Sequence, residues 1–159
     1  FIQQGKKKIA LVTTDINVQQ ITERLEGYKK ALEDHKLAYD ENLVVKIHFN
    51  QDEAETMEQI KSLFLNQKID AVLFATNYLA ISGLKVLKEI DKKIGDDFAV
   101  IAYDDHEAFE LHTPRISAVQ QPLEEIAENV IKLVLSQLSK KTKAENKQII
   151  VPAKLIIRN

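Results

Sequence analysis

Residues 98–122 read FAVIAYDDHEAFELHTPRISAVQQP, and this stretch decides how the chain folds. Residues 98–102 are all apolar, and two adjacent carboxylates, Asp104 and Asp105, follow them after a single tyrosine. A short apolar run that ends at turn-forming residues is typical of a buried strand in a parallel sheet. Open α/β sheets hold ligands just beyond the carboxyl ends of their strands. The aspartate pair is therefore a candidate site for a polar small molecule.

The rest of the chain repeats a pattern of one strand followed by one helix. Apolar runs predict the strands, and apolar residues at helical spacing predict the helices. The predicted strands are residues 8–13, 43–49, 69–75 and 99–102. The predicted helices are residues 18–35, 53–64 and 77–92. This alternation predicts an α/β fold in which a parallel sheet is sandwiched between helices.

The C-terminal part of the chain does not continue this alternation of strands and helices. Pro122 opens a long amphipathic helix whose apolar side is predicted to face inward. That side consists of Leu123, Ile126, Ala127, Val130, Ile131, Val134 and Leu138. A polar linker is predicted at residues 140–147, and two short strands are predicted at residues 148–151 and 154–157. Pro152 separates these strands, because proline cannot donate a hydrogen bond inside a central strand.

The composition is that of a water-soluble globular protein. The 159 residues, 45% of them hydrophobic and 29% charged, suffice for one ordinary domain or two small lobes. There is no cysteine, and no apolar run approaches the roughly 20 residues that a bilayer requires. The net charge is −2, and the lysines within residues 6–8 and 140–147 are predicted to be solvated loop charges. We therefore predict neither a membrane segment nor a nucleic-acid-binding surface in this chain.

Catalytic and metal-binding patterns are scarce. The histidines, at positions 35, 48, 106 and 112, show no metal-ligand spacing, and the four glycines form no phosphate-binding loop. Asp104 and Asp15 could together hold Mg²⁺, as acids do in receiver or phosphatase domains. Such a site needs further acids at neighbouring strand ends, so it is kept only as a third alternative. We predict no enzyme activity, no cofactor and no metal.

Several motifs, taken in their order along the chain, resemble the lac/gal repressor family of bacterial transcription regulators. The resembling segments are GKKKIA at residues 5–10, RLEGY at 24–28, DAVLFATN at 70–77, YDD at 103–105, the dipeptides Thr113-Pro114 and Gln121-Pro122, and VPAKL at 151–155. Each pattern is weak alone, but their joint order and spacing make chance agreement implausible. They extend over almost the whole chain.

The resemblance implies a periplasmic-binding-protein-like type I lobe. Residues 1–121 would form the second lobe of an effector-binding core, residues 122–152 a helix and strand that cross to the first lobe, and residues 153–159 a returning strand. The implied DNA-reading headpiece and most of the first lobe lie outside this chain, since residues 1–5 look like the end of a helix. We expect the apolar side of the 122–139 helix to be buried against another copy or an altered surface.

The resemblance also implies five contacts for a sugar-like effector. These are Arg24, Asn77, Asp104, Gln121 and Phe49. Charged groups with two donors or acceptors suit adjacent hydroxyls. Arg24 corresponds to the family's principal effector-binding arginine, although by sequence alone it is typical of a surface helix arginine. Asp104 is the central candidate, and either it or Asp105 could instead serve only the turn.

The other three candidates also have alternative roles. Asn77 could cap the helix that follows it, and Tyr78 stands where the family has an acid beside the asparagine. Gln121 could be an ordinary polar residue at a strand end. Phe49, at the position where the family places an aromatic ring, could simply pack in the core.

The resemblance predicts the effector-sensing portion of a cytoplasmic, DNA-binding transcriptional repressor or regulator. A sugar or sugar phosphate would close two lobes within a homodimer and so change the affinity for operator DNA. The implied dimer contacts are Tyr78, Ile81, Lys85, Phe109, Leu111 and His112. The alternative is a periplasmic sugar-binding protein of a transport system, which shares the two-lobe fold.

Overall fold

The computed structural model of the protein describes residues 1–95, 98–139 and 148–158. The predicted linker, residues 140–147, lies outside the described residues. The strands are β1 (Ile9–Thr14), β2 (Val44–Ile47), β3 (Ala71–Phe74), β4 (Ala99–Tyr103), β5 (Ser117–Gln120) and β6 (Lys154–Ile156). The helices are α1 (Gln19–Asp34), α2 (Glu53–Asn66), α3 (Asn77–Glu89), α4 (Glu107–Leu111) and α5 (Leu123–Ser139). Two short 3-10 helices, Ile2–Gln4 and Glu41–Leu43, precede β1 and β2.

Within the described residues, these strands form one sheet in the order β2-β1-β3-β4-β5-β6. The first five strands pair in parallel, and β6 pairs antiparallel to β5. The α/β prediction with a parallel sheet is therefore confirmed. Because parallel strands point the same way, the residues that follow β1 to β5 all lie along one edge of the sheet, which we call the carboxyl edge.

Different helices cover the two faces of the sheet. On β1, Ile9 and Leu11 pack in one apolar cluster with Tyr28 of α1, whereas Ala10 and Val12 pack in the other cluster with residues of α2 and α3. Both faces are buried, which is why β1 is an unbroken apolar run rather than an alternating one. The central strands β1 and β3, which are almost completely buried, therefore support the carboxyl edge.

Gly83 allows α3 to lie directly against the centre of the sheet. An added Cβ at this position would come within 2.1 Å of the ring of Phe74, which is fully buried on β3. Interiors are packed to crystal-like density, so little space exists there to move the ring away. The absence of a side chain at Gly83 thus sets the distance between α3 and β3.

The C-terminal predictions need two corrections. Residues 148–151 are not a strand, because no neighbouring strand among the described residues offers them backbone partners, and Ile150 is 84% exposed. The apolar side of α5 does not face inward. Its large side chains Leu123, Val130, Ile131, Val134 and Leu138 are between 49% and 79% exposed. The prediction that another copy or surface covers this side stays open, since a single chain contains no such partner.

Two smaller features also differ from expectation. Lys6, predicted as a solvated loop charge, is buried, with 9% exposure. The short helix α4 was not predicted, and it occupies the stretch between the aspartate pair and the Thr113-Pro114 turn. Among the described residues, no helix has both the length and the apolar character needed to cross a membrane.

Candidate ligand-binding site

The first component of the site is Arg24, which α1 carries near the carboxyl edge. A buried Tyr28 fixes this helix one turn further on, where its hydroxyl donates to the carbonyl of Ile9 at 2.8 Å. Residues four apart share a helix side, so Arg24 also faces the sheet. Its Nη1 donates to the carbonyl oxygen of Ala75, and its Cζ lies 4.2 Å above the centre of the Tyr103 ring. The alternative of an unattached surface arginine is wrong, since the side chain is 11% exposed.

Asp104 follows β4 directly and faces this arginine. The Nη1–Oδ2 and Nη2–Oδ1 distances between Arg24 and Asp104 are both 3.4 Å. The amide Nε2 of Gln121, which follows β5, donates to Oδ1 of Asp104. The backbone of Asp104 has a φ of 63°, in the left-handed region, and its N–H donates to the carbonyl of Val119 at 2.9 Å. The structure thus brings together three groups that lie far apart in the sequence.

The neighbouring Asp105 has a different partner. Both its oxygens accept hydrogen bonds from Arg158, at 2.7 Å each. These hydrogen bonds with Arg158 hold the pKa of the Asp105 carboxyl below its ordinary value. The sequence left open which aspartate serves the turn. The structure assigns the structural ion pair to Asp105 and leaves Asp104 at the mouth of the site.

A hollow of about 650 Å³ opens beside Asp104 at the carboxyl edge. It is lined by Asn77, Asp104, Asp105, Gln120, Gln121, Pro122, Leu123, Glu124 and Glu125. Asn77 is not the helix cap that was suggested as its alternative role. Thr76 occupies the cap position and Asn77 is the first helical residue, with its amide unused by the cap. The hollow is therefore lined by three side-chain amides and four carboxylates, and Arg24 pairs with one of these carboxylates, that of Asp104.

Phe49 is not among the residues that line this hollow. It lies in the loop after β2, is 56% exposed, and borders a neighbouring cavity of about 260 Å³ together with Tyr78. The alternative of core packing is therefore wrong. Its N–H donates to Oδ1 of Asp15 at 3.1 Å, so the carboxylate of Asp15 holds the Phe49 loop in place.

The proposed pairing of Asp15 with Asp104 around Mg²⁺ receives no support from this arrangement. Asp15 follows β1 and contacts the Phe49 loop, whereas Asp104 follows β4 and pairs with a guanidinium. A positive side chain already occupies the place where a cation would sit. Within the described ranges, no three His, Cys, Asp or Glu side chains come together as a metal site.

The predicted dimer contacts lie around a separate groove of about 680 Å³ between α3 and α4. Ile81, Lys85, Leu111 and His112 are among its lining residues. Leu111 is 83% exposed, and Tyr78 is 43% exposed beside the adjoining cavity. The prediction of Phe109 as a dimer contact is wrong, because its side chain on α4 is fully buried and cannot reach a partner.

Arg158 is the residue of this region that sequence reasoning missed. It stands near the end of the chain, and 53 residues separate it from Asp105. Nothing local in the sequence marks it, since an arginine after a short strand is typical of a solvated chain end. Only the antiparallel return of β6 along β5 brings it beneath the aspartate pair.

The fold, a mostly parallel sheet of six strands among the described residues with helices on its faces, is that of periplasmic-binding-protein-like effector domains. A family model described as a periplasmic binding protein-like domain matches residues 1–159. The chain belongs to this family.

Curated proteins that are similar in sequence to this chain include several transcription regulators. The HTH-type transcriptional repressor PurR of Vibrio atlanticus (strain LGP32) is 29% identical over 142 residues, which are 89% of this chain and 42% of that protein. The HTH-type transcriptional regulator CelR of Thermobifida fusca is 28% identical over 99% of this chain and 46% of its own length. The probable opine utilization operon repressor of Rhizobium rhizogenes is 28% identical over 98% of this chain and 81% of its own length. The chain thus spans less than half of PurR and CelR.

Solved structures agree with this relationship. The complex of the transcriptional regulator CelR with cellobiose has a TM-score of 0.87 at 26% identity, over 99% of this chain and 47% of that one. A sugar-binding regulator of the LacI family from Escherichia coli, complexed with phosphate, has a TM-score of 0.81 at 27% identity, over 99% of this chain and 55% of that one. The resemblance to the lac/gal repressor family is confirmed, and these relatives are named as regulators, not as enzymes.

Proposed function

We propose that this chain is the effector-sensing portion of a DNA-binding transcription regulator, and that a sugar-like small molecule binds in the hollow at the carboxyl edge. The observation that carries the proposal is the meeting of Arg24, Asp104 and Gln121 beside that hollow. A guanidinium, a carboxylate and an amide together offer donors and acceptors in the geometry that neighbouring hydroxyls need.

The Arg24–Asp104 contact is loose enough to admit a ligand. Charge-assisted N–H···O bonds are typically about 2.7–2.9 Å long, and both distances here are 3.4 Å. Asp104 is also 28% exposed. A sugar hydroxyl can therefore donate to Asp104 while another accepts from Arg24, at little cost to the existing pair. The exposed ring of Phe49, at the same edge, is proposed to flank the ligand.

The lining of the hollow favours an uncharged sugar over a sugar phosphate. It carries four carboxylates. They belong to Asp104, Asp105, Glu124 and Glu125. No lysine or arginine lines the hollow among the described residues, Arg158 is fully engaged by Asp105, and the positive charge of Arg24 already faces the carboxylate of Asp104. A phosphate at this wall would meet negative charge in a partly enclosed space, where repulsion is stronger than in bulk water.

The regulatory part of the proposal concerns the whole protein. We propose that residues 1–121 and 153–159 form one lobe, and that the exposed apolar side of α5 packs within a first lobe to which residues 122–152 belong. Ligand binding would favour a closed arrangement of a cytoplasmic homodimer whose separate headpiece contacts operator DNA. The groove between α3 and α4 supports a dimer contact, since it combines exposed apolar residues such as Leu111 with a rim that contains four lysines. No membrane association is proposed.

The alternative, a transport protein that delivers sugar outside the cytoplasm, has less support. The relatives reported above, both by sequence and by structure, are named as transcription regulators. Nothing in the geometry of the hollow separates the two functions, because both hold a sugar at the same edge of the same fold. The names of these relatives therefore favour the regulator.

Differential scanning fluorimetry with a panel of neutral sugars and sugar phosphates tests the proposal. A ligand at 100 times its Kd stabilises the folded state by about 2.7 kcal/mol, which raises the melting temperature measurably. We expect a neutral mono- or disaccharide to stabilise the wild-type chain but not Asp104→Asn. Asp34→Asn, an exposed aspartate at the end of α1, is the matched control and keeps the shift. A panel without any shift, or an equal shift in Asp104→Asn, contradicts the proposal.

A further inference from the structure

Arg158 makes an unusually complete set of contacts for a residue near the end of a chain. Its Nη1 and Nη2 each donate to one oxygen of Asp105 at 2.7 Å. Nη2 also donates to Glu110 of α4 at 2.9 Å, and Nη1 to the carbonyl of Ile116 at 3.0 Å. Its side chain is 9% exposed. These four hydrogen bonds link Arg158 to three different segments of the chain. Its guanidinium is therefore a structural group and not a solvated surface charge.

The backbone of Asp104, next to the residue that Arg158 binds, has an unfavourable conformation that neighbouring contacts must stabilise. Asp104 has a φ of 63°, in the left-handed region that residues with a side chain seldom adopt. On its amino side, the Asp104 N–H is held by the carbonyl of Val119. On its carboxyl side, Asp105 is held by Arg158 and accepts the N–H of His106 at 2.9 Å.

At this turn, two consecutive carboxylates pair with two different arginines. The carboxylate of Asp104 meets Arg24 and Gln121, and that of Asp105 meets Arg158. Without Arg158, the hydrogen bond from the N–H of His106 would be the one described contact left to the Asp105 carboxylate, and the turn would lose its tie to the C-terminal segment. The direction of the Asp104 side chain would then vary, because it depends on the backbone angles of that turn.

We propose that Arg158 is a positioning residue of the ligand site: by clamping Asp105 with two hydrogen bonds, it holds the turn that aims the Asp104 carboxylate at Arg24 and Gln121. Its significance for sensing rests on the proposed function, which makes Asp104 a ligand contact. The positioning itself is a property of the unliganded chain and can be tested without any sugar.

The side-chain amide of Gln121 is the reporter, because it donates directly to Asp104. We would record ¹H–¹⁵N spectra of the wild-type chain and of Asp104→Asn, which defines the signal of a lost acceptor charge. In Arg158→Gln, we expect the Gln121 amide signal to move toward its position in Asp104→Asn. The side-chain amide of Gln59 on α2, which donates to Gln51, is the internal control, and we expect its signal to stay in place.

Arg158→Lys is the second variant. It keeps the positive charge but cannot make both 2.7 Å contacts in the same plane. We expect a smaller displacement of the Gln121 signal in the same direction, and this variant carries the test if Arg158→Gln does not fold. An unmoved Gln121 signal in a folded Arg158 variant would overturn the positioning role. Wild-type sugar binding is measured separately, so its absence would refute the ligand site and leave the positioning result intact.

Discussion

Arg24 and Asp104 are separated by 80 residues, yet Nη1 and Nη2 of Arg24 each lie 3.4 Å from one carboxylate oxygen of Asp104. The parallel sheet makes this possible, because α1 begins and β4 ends at the same edge. The pair is long compared with Arg158–Asp105, whose two contacts are 2.7 Å. In the proposed function the first pair is the one that opens to a ligand, whereas both carboxylate oxygens of the second pair are already bound by Arg158.

Arg24→Lys should weaken ligand binding roughly tenfold to a hundredfold, because hydrogen bonds to charged groups contribute about 1.5–3 kcal/mol and lysine cannot present two parallel donors. The measurement is isothermal titration calorimetry with the sugar that stabilises the wild-type chain in fluorimetry. Arg115→Lys, at an exposed arginine outside the hollow, is the control and should bind normally. Wild-type affinity in Arg24→Lys would remove Arg24 from the site.

Arg158→Gln should lower the free energy of unfolding by about 3 kcal/mol, because it leaves the largely buried Asp105 carboxylate without its cation. Urea unfolding of the two proteins gives this difference. Lys30→Gln removes an exposed ion pair with Asp34 and should cost about 0.5 kcal/mol or less. Equal losses in the two variants would show that the Arg158–Asp105 pair is no stronger than a surface pair.

Gly83→Ala should destabilise the protein by about 1–3 kcal/mol, because the new methyl group meets the buried Phe74 ring and overpacks the core. Gly27→Ala is the matched change on α1, where an added Cβ meets nothing within 4 Å. It should stabilise by about 0.5–1 kcal/mol through the better helix propensity of alanine. Urea unfolding measures both, and changes of the same sign would contradict the packing argument.

Tyr28 should make stability fall at alkaline pH. Burial raises its pKa from the ordinary 10.0 to about 12, so the folded state favours the neutral phenol. Its contribution is complete below pH 10 and is lost as the pH rises from 10 to about 12. Tyr28→Phe lacks this titration, and we expect its urea midpoint to decline less steeply over that window. Parallel slopes for the two proteins would contradict the burial of an ionisable phenol.

Leu111→Asp should dissociate the proposed homodimer. The side chain is 83% exposed on α4 at the groove, so the substitution removes an apolar contact and adds a charge without disturbing the core. Size-exclusion chromatography with light scattering reports the mass. Leu65→Asp changes a leucine of similar exposure, 62%, on α2 and should leave the dimer unchanged. A wild-type chain that is monomeric at high concentration, or a Leu111→Asp dimer of wild-type strength, argues against this interface.

Local sequence was sufficient for most of the strands and for the edge that carries the site. Apolar runs such as residues 69–75 are buried on both faces of a parallel sheet, so they stand out without any knowledge of their neighbours. The polar residues that end these runs, Asn77 and Asp104, had to share one edge because parallel strands all end on the same side. The resemblance to repressors then singled out Arg24 in α1.

The roles of individual side chains were decided by the tertiary structure. Asp104 and Asp105 are the same residue type in adjacent positions, and the approach of Arg158, just after the returning β6, gives Asp105 its structural ion pair while Asp104 faces Arg24 and Gln121. Phe109 was predicted to be a surface contact, but it lies on α4, a helix that the sequence did not predict, and its side chain is in the core. Residues 148–151 have a strand-like composition but pair with no strand in the part of the chain that the structure describes. Hydrogen bonds and ion pairs join groups that chain folding brings together, and a linear pattern contains no record of partners 50 or 80 positions away.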